Sequence, residues 1–97
     1  VAEHNRCKFT SVETVDNIAG LTFFISHKKT GDIIIRFVSP CGNSAIIAEQ
    51  TGKRSFIETL TYTREEWYTP QLEKDCFAAV ALYVSMKYKA TLSKSEL

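Results

Sequence analysis

Between Cys76 and Met86 the chain reads C-F-A-A-V-A-L-Y-V-S-M, ten apolar residues out of eleven. A run of this kind must be sheltered against a sheet or a partner, because water leaves so much apolar surface at a cost. Thr69-Pro70 stands ahead of it. Thr is a good N-cap, and Pro suits the first helical position, where its missing N–H would be unpaired anyway. Glu73 and Asp75 fall near the positive end of the helix dipole, Lys87 and Lys89 near the negative end. At 100° per residue, Leu72, Cys76, Ala79, Val80, Tyr83 and Val84 share one face. Leu82 and Met86 flank that face on one side and Phe77 on the other, leaving Lys74, Ala78, Ala81 and Ser85 as a narrow opposite stripe. An apolar arc this wide exceeds what a single sheet contact needs.

The residues before the helix are punctuated by turn signals at nearly even spacing. They are Asp16-Asn17 with Gly20, Lys28 to Asp32, Pro40 to Asn43, and Gln50 to Lys53. Short apolar and β-branched segments at such spacing predict antiparallel strands joined by hairpins. The strand-like segments are Leu21–His27, Asp32–Val38, Ser44–Glu49 and Arg54–Thr63, with a weaker opening segment at Cys7–Val15 whose alternation is broken. Asp32–Val38 is apolar on both faces and is expected to be central. Within Arg54–Thr63, Phe56, Leu60 and Tyr62 are expected on one face and Ile57, Thr59 and Thr61 on the other. The tail from Thr91 to Leu97 is expected to fray. The fold class is therefore α+β, an antiparallel β-meander of about five strands covered on one face by a single C-terminal helix. In order of elements it resembles PH domains, polo boxes and single-strand nucleic-acid binders of the four-strands-then-helix type. That likeness is one of layout, since no family motif is matched residue by residue.

With 97 residues, 44% hydrophobic and 11% aromatic, the chain has material for one core. We expect a single domain, residues 1–97, and the absence of an initiating Met suggests one excised from a larger protein. A net charge of +1 gives no long-range field toward nucleic acid. Three cysteines without a close pair, Cys7, Cys41 and Cys76, point to a reducing, intracellular setting, cytoplasmic or nuclear. The apolar run is about half of the ~20 residues a membrane span requires.

Signatures of chemistry are sparse. His4, Cys7, His27 and Cys41 lack the spacing of a metal site, so no metal or other cofactor is expected. Cys41 sits in a turn, but His27 belongs to the far end of a hairpin about ten residues long. Glu65-Glu66 reads as adjacent solvated charge rather than an acid–base pair. We expect no enzyme.

Three features are suited to binding. Tyr62, Trp67 and Tyr68 surround a connecting segment and are candidate anchors for a protein partner, or a staple holding the helix start to the sheet. Ala78, Ala81 and Ser85 would let a second copy approach in a homodimer. The hairpin tips Lys28-Lys29 and Lys53-Arg54 would project together and meet phosphates, with Phe24 on the outer sheet face for base stacking. The first expectation is a protein-interaction module, regulatory or assembly, binding through the helix–sheet groove and the Trp67 loop and self-associating. The alternative is a domain for single-stranded nucleic acid or acidic phosphate.

Overall fold

The computed structural model describes residues 14–94. All but the end of the expected opening strand, Cys7–Val15, lies outside them, as do His4 and the last three residues. The described chain runs β1 (Thr14–Ile18), β2 (Leu21–His27), β3 (Ile33–Val38), β4 (Ser44–Gly52), β5 (Ser55–Tyr62), a 3-10 turn at Glu65–Trp67, α1 (Pro70–Tyr88) and β6 (Thr91–Ser93). The strands form one sheet in the order β1-β2-β3-β4-β5-β6, so β3 is central as its composition requires. The first five strands pair antiparallel, with register shifts between β3 and β4 and between β4 and β5.

β6 departs from expectation. Thr91–Ser93 does not fray but pairs parallel to β5, with Leu92 beside Phe56. The helix is therefore a crossover between two parallel strands, the connection parallel neighbours need. Three residues of ordinary composition carry no strand signal of their own. What holds them is the Thr91 amide donating to the Arg54 carbonyl at 3.2 Å, and Leu92 packing on the core.

The helix begins as its residues dictate. Thr69 is extended, and its Oγ1 accepts from the Leu72 amide at 3.2 Å. It ends at Lys89, left-handed at φ 56°, where the Lys89 and Ala90 amides both turn back to the Val84 carbonyl. One seam is buried, formed by Cys76, Ala79, Val80 and Val84. It meets Phe23, Ile25, Ile35, Phe37, Ile47 and Phe56 in a single core. The sheet curls around this seam, so that β1 at one edge and β6 at the other both reach the helix. Tyr83 Oη donates to Asp16 Oδ2 of β1 at 2.8 Å. Burial, and then the bond to Asp16, lifts the Tyr83 hydroxyl above the usual phenol range and keeps it protonated.

Two bulges alter the expected faces. Opposite Ile35 and Arg36 the register of β4 slips by one residue at Ile47, so Ile47 and Ala48 both enter the core. On β5, Thr59 and Leu60 together oppose Ile47, and Leu60 takes φ 41°. Alternation in β5 nevertheless survives the bulge. Leu60 and Tyr62 still pack on the core beside Phe56, as expected. Glu58 lies on the same side, paired with Ala48.

The first hairpin turns at Ala19-Gly20, with φ 54° and 85°, and not at Asp16-Asn17, which belong to β1. Both central residues of this two-residue turn are left-handed, and an alanine there carries steric strain. Ala19→Asn relieves it and should stabilise the protein by about 1 kcal/mol. That corresponds to a rise in Tm of about 4–8 °C for a domain of this size, measurable by thermal denaturation. An unchanged or lower Tm would show that the turn is not strained.

Candidate functional site

The antiparallel pairing sorts the loops into two ends of the sheet. One end holds the Ala19-Gly20 turn, the Ser39–Asn43 loop and the Thr63–Thr69 connection to α1. The other holds the tips around Lys28–Gly31 and Lys53–Arg54, together with the end of the helix. His27 and Cys41 consequently stand at opposite ends. Among the described residues no three His, Cys, Asp or Glu side chains converge.

At the first end, Tyr62, Trp67 and Tyr68 come together as expected, but they turn toward the sheet. Trp67 stacks on Phe37 at 6.1 Å and 17°, and Phe37 meets Phe23 edge-on at 5.7 Å. Tyr68 packs against Trp67 at 5.2 Å and Tyr62 at 5.3 Å. Tyr68 is 9% exposed, so it is a core residue and not an accessible anchor. The array fastens the helix start to β3 and β5, the structural half of the expectation for these residues. It does so at a polar cost. Among the described residues, Trp67 Nε1 and Thr59 Oγ1 are buried without hydrogen-bond partners. Tyr68 Oη and the Cys76 thiol face each other there; burial is the main reason that the thiol is pushed up to about 11 and the phenol higher still. Cys76 is thus a small apolar packer with its proton held, whereas Cys41 is free and exposed.

Glu58 has a related constraint. Desolvation raises its carboxyl above the usual range, nearby Lys94 opposes this, and Glu73 on the first turn of α1 adds to it. A raised acid is one whose ionisation the fold disfavours. Its contribution to stability is therefore present at low pH and is lost as pH rises through the folded value.

The outward side of α1 is the second candidate. Ala78, Ala81 and Ser85 are all exposed, as the helical projection predicts. Leu82 and Met86, expected to flank the buried seam, are instead 54% and 69% exposed. The reason is geometric. The curled sheet touches only a narrow line of the helix, and residues 82 and 86 stand beyond its reach. On the projection they stand between Ala78 and the buried seam, and Leu82 lies nearer Ala78; that was the available signal, overridden by their hydrophobicity.

The basic tips form the third candidate. Lys29, Lys53 and Arg54 are exposed on the second end. Lys28 is partly committed, with its Nζ 3.0 Å from Glu49. Phe24 lies on the face away from the helix, where Arg36 sits over its ring at 5.6 Å. No described helix is long and apolar enough to cross a membrane.

Two outcomes follow. Trp67→Ala should cost about 3 kcal/mol in chemical denaturation, while Trp67→Phe, which keeps the stack and removes the unpaired N–H, should cost less than about 1 kcal/mol. Equal losses would mean that the indole N–H is satisfied. Glu58→Gln should raise Tm at pH 7 and have little effect at pH 4, where the wild-type carboxyl already carries its proton. The same gain at both values would remove the desolvation argument.

Comparison with protein-family models, with curated proteins and with solved structures found nothing that matches this chain.

Proposed function

We propose that this domain is a non-catalytic protein-interaction module whose partner is a second copy of itself, docked through the outward face of α1. The observation that carries the reading is the exposure of Leu82 and Met86 on a helix whose opposite seam is fully covered. Asp75, Ala78, Leu82, Met86 and Lys89 follow one another at helical spacing along that side. An antiparallel two-fold pairing centred on Leu82 places Met86 of each copy over Ala78 of the other. The same operation sets Asp75 against Lys89, so that opposite charges meet at both rims. Small residues opposite large ones permit close approach, and the charge pattern selects the antiparallel arrangement. The Trp67 array serves this reading by holding the first turns of the helix rigid, not by touching the partner.

Light scattering and sedimentation at two protein concentrations test it. A dimer is expected at tens of micromolar. Leu82→Asp should weaken it by at least about 30-fold, equivalent to about 2 kcal/mol, with Tm of the dilute monomer unchanged. Asp75→Lys should weaken it less, and Asp75→Lys with Lys89→Asp should restore it. A protein that stays monomeric at millimolar concentration overturns the proposal.

A further inference from the structure

The net charge of +1 conceals a segregation that only the fold reveals. Lys28 and Lys29 come from the β2–β3 tip, Lys53 and Arg54 from the β4–β5 tip, and Lys87 and Lys89 from the end of α1. These segments are far apart in sequence yet share one end of the molecule. The Ile33 amide donates to Gln50 Oε1 at 3.0 Å, which ties the first tip to β4. The Thr91 amide on the Arg54 carbonyl, and the 5.6 Å contact of Tyr88 with Phe56, tie the helix end to the second tip. The carboxylates described at this end are Glu49, which takes Lys28, and Asp32, which accepts from Thr30 Oγ1 at 3.3 Å. Among the described residues, six cations against two carboxylates leave an excess of four charges there. Glu66, Glu73 and Asp75 lie toward the opposite end.

We infer that this basic end is a docking surface for an anionic lipid bilayer. Cations from three elements on one end of a domain match a plane of headgroup charge, which attracts such clusters within a Debye length. The rings at this end are otherwise engaged, which weighs against single-stranded nucleic acid. Tyr88 packs on Phe56 and Tyr83, and Lys87 Nζ lies over Tyr83 and Tyr88 at 5.6 and 6.0 Å, so neither ring is offered to a base. The inference rests on the four cations of the hairpin tips, which lie off the α1 face that the self-association reading uses, and its failure would leave that reading standing.

Vesicle co-sedimentation of the whole chain tests it, with phosphatidylcholine vesicles alone and with about one third phosphatidylserine. Binding to the anionic vesicles is expected at 50 mM salt, with strong weakening at 500 mM and none to neutral vesicles. Each cation near a charged bilayer contributes about fivefold in partitioning. Lys53→Glu with Arg54→Glu should therefore reduce binding at least about 25-fold. Both side chains are exposed and the Arg54 carbonyl is retained, so circular dichroism should be unchanged. Lys74→Glu, toward the far end of α1, is the control and should have little effect. Equal binding to neutral vesicles, an equal loss from Lys74→Glu, or no binding at 50 mM salt overturns the inference. So does tighter binding to a single-stranded oligonucleotide than to the anionic vesicles.

Discussion

The structure depends on one contact, the seam of Cys76, Ala79, Val80 and Val84 lying in the hollow of a curled sheet. A sheet with its apolar side chains on one face cannot stand in water without a cover. Here the cover is a single helix, and its buried line is made largely of small residues. Small side chains let the sheet bend close, and the bend brings both edges within reach. Asp16 of β1 then meets Tyr83, while β6 emerges from the helix onto β5. Removing the helix would leave an open apolar trough. Removing the curl would leave a helix touching only its middle strands.

Much of this was legible from residue order. The apolar run, the Thr69 cap, the central place of β3 and the antiparallel succession all follow from local chemistry. What was not legible involves register or distance. A bulge at Ile47 leaves no mark in the sequence, because Ile47 and Ala48 are both unremarkable strand residues. The left-handed Leu60 is less visible still, since nothing about leucine announces a positive φ. Asp16 reads as a turn residue until Tyr83, 67 positions away, claims its carboxylate. β6 was invisible for the same reason. Its pairing is bestowed by the crossover and not by its own composition.

The candidate surfaces were legible in a similar proportion. Hairpin alternation was enough to place Lys28-Lys29 and Lys53-Arg54 together, yet Lys87 and Lys89 join them only because the crossover returns the chain to that end. Tyr62, Trp67 and Tyr68 were correctly gathered, but their direction could not be foreseen. Whether an aromatic ring faces in or out depends on the wall it meets, and Phe37 supplies that wall from a distant strand. The helix exposes Leu82 and Met86 because a curved trough grips a rod along a line narrower than its greasy arc.

The crossover topology also has a bearing on how the chain comes into being. In emergence from a ribosome, β1 to β5 appear before any part of the helix does. Five strands can zip together by successive hairpins while their inner face remains bare, and their last neighbour cannot dock until a further nineteen helical residues have been made. For that interval the nascent sheet presents a wet, adhesive concavity.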